Sequence, residues 1–376
     1  MKIGLLGFGT VGKGCYDILS PHEGFHFTKV ASLPPLPELP GAVVTSDPLS
    51  AATSPDVDLV VELMGGLHPA YECVKAALSA GKHVVTANKH LVAQFYEELV
   101  SLAREKGVCF RYSAAVGGGI PWLPALSRAR RLGRVEKVWG IFNGTTNLIL
   151  DEMTRDGVSY ADALRHAKEL GFAEANPAAD VEGWDARRKI CISANIAFDA
   201  AIREEEVPTF GITLAAPADV QAARRMDCVI KLIGRAARTP DGVAAWVEPA
   251  FVPAASREGV VHGGDNVITY VAEHVGEESF FGPGAGRYPT GFAVAQDILD
   301  IKAVLPGPYT DKVARLPVRT DEVKGRYYCR PLDPSGKWDD LREKDLGEGF
   351  ITRPVDPATL HTRCREKAFL AALPEA

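Results

Sequence analysis

Short apolar runs and amphipathic stretches alternate along the first third of the chain. Residues 2–7 (K-I-G-L-L-G) read as a strand, followed by a helical pattern through Leu19. A second strand is expected near Phe27–Leu33. Val57–Leu63 (V-D-L-V-V-E-L) has the almost unbroken apolar character of a strand buried on both faces of a parallel sheet. A helix over 69–80, a strand over His83–Thr86, a helix over 94–106 and a strand over 108–115 continue the alternation. An amphipathic stretch covers 123–132, and Val135–Phe142 reads as a strand leaving this first domain. Strands that alternate with helices in this way predict an α/β domain with a parallel sheet. Farther on, the polar turn Asn143–Asn147 opens a helix over 148–155, and another helix covers 159–170. From Gly183 the sequence is again helical and apolar, through Ile190, Ile192, Ala194, Ile196 and Phe198.

The first strand runs into Gly7-Phe8-Gly9-Thr10-Val11-Gly12, a G-x-G-x-x-G motif with a strand before it and a helix after it. Gly7 permits the tight turn, Gly9 lets a pyrophosphate approach the backbone, and Gly12 lets helix and strand pack closely. Free N–H groups at the helix start, around Thr10 and Val11, favour the phosphates. These residues predict dinucleotide binding. The acidic residue that usually meets a ribose 2′-hydroxyl is missing after Val30, where Ser32, Leu33 and a proline-rich loop stand. No arginine marks a 2′-phosphate, so NAD and NADP both remain open. The strand His83–Thr86 ends in Thr86-Ala87-Asn88-Lys89. Ligands bind outside the carboxyl ends of such strands, which makes Lys89 a candidate, although a surface lysine opening the next helix would look the same.

The 376 residues allow two or three domains, and 46% apolar with 24% charged content is that of a globular protein. A net charge of −6 argues against a nucleic-acid partner. The seven cysteines are scattered with no C-x-x-C, the pattern of reduced thiols in a cytoplasmic protein rather than of a zinc site. No apolar run is long enough to span a membrane.

The densest candidate chemistry lies in Glu174–Lys189 (E-A-N-P-A-A-D-V-E-G-W-D-A-R-R-K). It gathers the carboxylates Glu174, Asp180, Glu182 and Asp185 at a loop-to-helix junction, with Asp180 a candidate N-cap. Asp185 and Lys189 are one helical turn apart and share a face. An exposed ion pair would give the same spacing. Arg187 and Arg188 can serve the solvent side, which turns Lys189 inward, where lost hydration makes a lysine chemically adjustable.

Taken in order, GFGTVG (7–12), ELMGG (62–66), TANK (86–89), VGGGIP (116–121), NGTTN (143–147), LGFAEANP with DVEGWDARRK (170–189), and GPGAG with PTG (282–286, 289–291) resemble homoserine dehydrogenase over roughly residues 1–310. The resemblance implies NAD(P)H-dependent interconversion of L-aspartate 4-semialdehyde and L-homoserine by a homodimer. It implies an NAD(P)-binding Rossmann-type domain over 1–134, completed by about 285–310, and an α+β catalytic and dimerisation domain with a mixed or antiparallel sheet over 135–284. By motif, Lys189 resembles the family's proton donor and acceptor, and Lys89 its second lysine. Glu174, Asp185 and Asp180 resemble substrate-binding carboxylates. Gly171 and Gly286 are similar to cofactor-lining glycines, and Val116, Gly118 and Ile120 would offer carbonyls to a sodium ion.

The sequence departs from the family in places. Asn176 replaces the usual aspartate, and Ser113 stands where a glutamate usually precedes the glycine loop, which puts the sodium site in question. The tail over 317–376 is too short for the complete βαββαβ regulatory ACT domain of many relatives, although Gly325–Pro331 looks like its first strand. A shortened regulatory domain or an unrelated tail is expected, with little or no feedback by threonine. Two rival readings are a dehydrogenase re-tuned to another amino-aldehyde and a nucleotide-sensing protein that has lost turnover. Retention of Lys89, Lys189, Glu174 and Asp185 speaks against the second.

Overall fold

The computed structural model describes residues 1–305, 313–333, 335–336 and 338–374. The chain forms two compact units. Unit 1 comprises Met1–Arg131, Asp199–Ala201 and Pro283–Ala314, and unit 2 comprises Leu132–Phe198, Ile202–Gly282 and Arg315–Ala376. Of the closing stretch expected over about 285–310, residues 306–310 lie outside the described residues.

Unit 1 is a doubly wound α/β domain. Its strands are β1 (Lys2–Leu6), β2 (His26–Ala31), β3 (Val43–Thr45), β4 (Leu59–Glu62), β5 (His83–Thr86) and β6 (Phe110–Arg111). They form a parallel sheet in the order β3-β2-β1-β4-β5-β6. The connecting helices are α1 (Thr10–Leu19), α2 (Pro48–Thr53), α3 (Ala70–Ser79) and α4 (Lys89–Glu105), with α5 (Trp122–Ala129) after the sheet. The strand order reverses between β1 and β4, which places a crevice for a ligand at their carboxyl ends. The later helix Arg287–Lys302 (α11 in chain order) returns to this unit and crosses α1 closely. A Cβ on Gly14 would stand 2.2 Å from the Arg287 carbonyl, and one on Gly291 2.8 Å from the Cys15 nitrogen, so the crossing needs glycine on both helices.

The run 108–115, expected as one strand, differs. Only Phe110–Arg111 pair in the sheet, and Ser113–Ala115 form a 3₁₀ turn. The cause is a buried polar group from a distant helix. Asp297 accepts from the Ser113 backbone N–H at 2.8 Å and from its hydroxyl at 2.7 Å, drawing the chain out of strand geometry.

Unit 2 is built on a nine-stranded mixed sheet, in the order β11-β10-β7-β8-β9-β15-β12-β14-β13. Its strands are β7 (Val135–Ile141), β8 (Cys228–Thr239), β9 (Gly242–Pro253), β10 (Asp265–Ala272), β11 (Gly276–Pro283), β12 (Tyr327–Pro331), β13 (Arg342–Asp345), β14 (Phe350–Thr352) and β15 (Ala368–Ala372). Helices α6 (Gly144–Arg155), α7 (Tyr160–Glu169), α8 (Ala178–Val181), α9 (Trp184–Phe198), α10 (Pro217–Arg224) and α12 (Pro357–Cys364) complete it. A Cβ on Gly234 of β8 would meet Ile190 of α9 at 3.3 Å, which identifies the face of the sheet that α9 covers. The residues expected as a tail are the outer strands of this same sheet: β15 pairs with β9 in parallel through Ala372 and Ala250. The chain order β12-β13-β14-α12-β15 is that of a βαββαβ unit without its first helix. Among the described residues, no helix is long and apolar enough to cross a membrane.

Candidate functional site

In unit 1 the turn after β1 is shaped by what its glycines lack. Gly7 has φ +93°, and a Cβ there would lie 2.6 Å from the Leu63 carbonyl oxygen. A Cβ on Gly12 would lie 2.1 Å from the Gly7 carbonyl oxygen. Gly9, the N-cap of α1, is the opposite case, since nothing lies within 4 Å of where its Cβ would be. The turn is therefore closed on its inner side and open at Gly9, with the α1 N–H groups of Thr10 and Val11 behind it. That geometry suits a pyrophosphate. Gly286, with φ +129°, is the N-cap of α11 in the same unit.

The next crevice wall comes from the turns after β4 and β5. Glu62 is fully buried. Its carboxylate accepts from the Met64 N–H at 2.8 Å and from the Thr86 hydroxyl at 2.6 Å. Thr86 in turn accepts from the Asn88 N–H at 2.9 Å, and Asn88 caps α4 by accepting from the Leu91 N–H at 3.1 Å. Lys89 is the first residue of that helix. Burial pushes the Glu62 carboxyl up, against hydrogen bonds from Thr86, Met64, Gly65 and Asn88. Sequence reasoning placed these residues in motifs but gave Glu62 no role. A charge directly after the apolar run L-V-V of V-D-L-V-V-E-L is the signal that could have found it, because carboxylates are almost never fully buried unpaired.

In unit 2 the polar cluster forms around the start of α9. Lys189 is 7% exposed, and its ammonium pairs with the Asp185 carboxylate at 2.8 Å and donates to the Phe142 carbonyl at 2.7 Å. Arg187 and Arg188 instead reach the buried Glu204. Asn143 joins the acidic residues: its amide donates to Asp180 at 2.7 Å and to Asp185 at 2.9 Å. Its oxygen accepts from the Thr146 N–H, capping α6, so this helix starts at Gly144 rather than at 148. The N-G-T-T-N motif is thus the first turn of a helix whose cap also serves the cluster, a role not seen from sequence.

The remaining sequence candidates are placed as follows. Asp180 is not a cap; it lies inside α8, whose N-cap is Pro177. Its carboxylate is taken up by Asn143 instead. Glu174 stands in the exposed loop between α7 and α8 and makes no ion pair among the described residues. Asn176 accepts from the Ala178 N–H at 3.2 Å at the start of α8. Gly171, with φ +77°, ends α7, its N–H bonding the Lys168 carbonyl at 3.0 Å. Gly118, with φ +56°, would bring a Cβ within 2.7 Å of the Gly284 backbone. Val116 and Ile120 are buried beside it, and the Ile120 carbonyl accepts from the Trp122 N–H at 2.7 Å.

Comparison with known proteins meets both units. Residues 7–113 match the profile of the homoserine dehydrogenase NAD-binding domain, and residues 121–299 match that of homoserine dehydrogenase. The chain is 38% identical to the homoserine dehydrogenase of Synechocystis, over 88% of this chain and 83% of that one. It is 41% identical to that of Mycobacterium bovis, over 77% of this chain and 68% of that one. A homoserine dehydrogenase structure from Thiobacillus denitrificans superimposes with a TM-score of 0.88 at 32% identity, covering 100% of this chain and 98% of that one. A glycine turn for a nicotinamide cofactor in one unit and a buried lysine–carboxylate cluster in the other accord with those matches, and the chain belongs to the homoserine dehydrogenase family of oxidoreductases.

Proposed function

We propose that the chain reduces L-aspartate 4-semialdehyde to L-homoserine, with Lys189 exchanging the proton. The observation that carries this reading is the buried ion pair of Lys189 and Asp185, fixed further by Phe142 and Asn143. The nicotinamide cofactor, when bound at Gly7–Gly12, supplies a hydride to the aldehyde carbon. Negative charge then develops on the carbonyl oxygen, and the Lys189 ammonium gives it a proton. In the reverse direction, neutral Lys189 takes up the hydroxyl proton. Asp185, already engaged with Lys189 and Asn143, serves to orient that ammonium, and Asp180 braces Asn143. Glu174, on its exposed loop, suits the substrate ammonium. Lys89 supplies a second cation. Gly286 lies with the cofactor turn in unit 1, and Gly171 ends the helix before the Glu174 loop.

The carbonyls of Val116, Gly118 and Ile120 would be the oxygen ligands of a sodium ion, and that of Ile120 also accepts from the Trp122 N–H, which leaves it one lone pair. The choice between NAD and NADP is left to assay. Oxidation of NADPH and of NADH in the presence of aspartate semialdehyde tests the reading, and no turnover with either would favour a dehydrogenase for another amino-aldehyde.

We also infer a homodimer. The sheet face opposite α9 carries Trp139 and Arg235, and toward β11 it leaves Phe281 64% exposed. A cavity of about 570 Å³ opens there, lined by Lys137, Trp139, Arg235, Glu258, Lys324 and Arg326. An open sheet face that carries large aromatics among charged side chains suits a second copy. Sedimentation of the wild type and of Phe281→Asp tests it; a wild-type monomer would sink the inference. Among the described residues the C-terminal segment has no helix between β12 and β13, which supports weak or absent feedback by threonine, and strong saturable inhibition in a titration would refute that.

A further inference from the structure

The turns after β4 and β5 form a closed ring of hydrogen bonds around Glu62. From the carboxylate, one arm reaches the Met64 N–H at 2.8 Å. The other reaches the Thr86 hydroxyl at 2.6 Å. The Thr86 oxygen holds the Asn88 N–H at 2.9 Å, and the Asn88 amide returns to the Gly66 carbonyl at 2.6 Å. The ring thus encloses the Met64–Gly66 turn and the Thr86–Asn88 turn. It also touches the first glycine turn, because the Leu63 N–H donates to the Leu6 carbonyl at 2.7 Å, and the Leu63 carbonyl is the atom that a Cβ on Gly7 would strike. Gly65 and Gly66, with φ +77° and +70°, have nothing within 4 Å of their Cβ positions, so this turn presents bare backbone on its open side.

We propose that Glu62 is the positioning residue of the cofactor crevice: its buried carboxylate ties the Met64–Gly66 turn to the Thr86–Lys89 turn and so fixes where Lys89 and the glycine turn stand. The proposal rests on the reading of Gly7–Gly12 as the cofactor turn and of Lys89 as part of the active machinery. A carboxylate suits the position because the groups that approach it are donors, the Met64 backbone N–H and the Thr86 hydroxyl. A glutamine there would turn an N–H₂ group against one of them. Such a mismatch in a fully buried ring is relieved only by moving one of the turns. Lys89 is two residues beyond the turn's central Ala87 and opens α4 directly after its cap, so a shift of the cap is a shift of Lys89.

A buried carboxylate that merely pegs the fold would affect stability alone. Glu62→Gln and the isosteric Thr86→Val separate the two ideas, with Thr86→Ser retaining the hydroxyl. Three quantities are read on each: the NADPH dissociation constant from nicotinamide fluorescence without substrate, kcat/KM with aspartate semialdehyde, and Tm. Glu62→Gln should weaken NADPH binding and lower kcat/KM, together by on the order of 10–100-fold, as displacement of a positioned group does. Thr86→Val should shift both in the same direction, and Thr86→Ser should recover most of that loss. The double variant should fall short of the sum of the single effects, because both residues act through one ring. A loss of Tm with NADPH binding and kcat/KM unchanged would overturn the proposal, as would equal behaviour of Thr86→Val and Thr86→Ser. Should Glu62→Gln fail to fold, the two threonine variants decide. A wild type that binds NADPH but leaves the aldehyde unreduced would overturn the substrate reading alone, since the binding arm still tests Glu62.

Discussion

In unit 1 the candidate cofactor crevice is lined by backbone, with Gly9, Gly65 and Gly66 leaving peptide groups bare, Gly7 and Gly12 closely packed, and the buried Glu62 carboxylate bracing the turns. In unit 2 the candidate catalytic cluster is made of side chains. Lys189, Asp185, Asp180 and Asn143 converge from α9, α8 and the α6 cap. The first arrangement suits a ligand whose phosphates accept hydrogen bonds, and its precision comes from close backbone approach. The second holds a charge out of water, and its precision comes from paired partners. Damage to the two should therefore look different: loss of affinity with strain in unit 1, and loss of turnover with an intact fold in unit 2.

The largest expected effect is on the lysine. Lys189→Ala should lower kcat by about 10²–10⁴ while leaving NADPH affinity nearly unchanged, since general acid–base contributions are of that size. Stopped-flow turnover with fluorescence binding measures both, and turnover close to wild type would remove Lys189 from the mechanism. Next comes Glu174→Gln. Loss of a charge-assisted hydrogen bond worth roughly 1.5–3 kcal/mol should raise KM for the aldehyde by about 10–150-fold. Tm and cofactor affinity should stay near wild type because the loop is exposed; a fall in Tm at constant KM would make Glu174 a loop brace.

The glycine turn sharpens the contrast within unit 1. Gly12→Ala drives a Cβ into the Gly7 carbonyl, and overpacking of this kind costs about 1–3 kcal/mol, so both Tm and NADPH affinity should fall. Gly9→Ala meets only open space, so Tm should hold while affinity falls. Equal melting curves for the two would contradict the close packing behind Gly12.

The smallest effect is a dependence on pH. Burial pushes the Asp297 carboxyl up to about 6, partly opposed by the Ser113 bonds and Arg111, while nearby Asp300 adds to the rise. The folded state thus holds a proton that the unfolded state releases nearer pH 4, and stability from this group is lost as pH rises through 6. The Tm of Asp297→Asn should gain on that of wild type between pH 4 and pH 7, and a constant difference would rule the linkage out.

Much of unit 1 was legible because its strands are local and apolar: β5 begins and ends where its alternation said, and β4 lies within the expected Val57–Leu63. The ordered motifs carried the family. What was hidden depended on distant partners. Ser113 leaves the strand because of Asp297, far along the chain, and no local pattern encodes that capture. Asn143 looks like a turn residue, and its second service to Asp180 and Asp185 needs the folded cluster to be seen. The C-terminal segment reads as a tail because each of its strands is short; only the register of β15 on β9 makes it part of the sheet.

The glycine crossing of α1 with the helix Arg287–Lys302 has a consequence for the protein during its own synthesis. Unit 1 is interrupted between Arg131 and Pro283, apart from Asp199–Ala201, by the chain that builds much of unit 2. At about 5–20 residues per second, the ribosome needs roughly 8–30 s to traverse that stretch. Throughout that interval the nascent first unit lacks the helix that seals α1, and the apolar surface of Cys15 and Leu19 waits for Val294 and Ile298. The crevice unit is thus begun first yet completed late, and chaperones that act on nascent chains have a defined surface to protect.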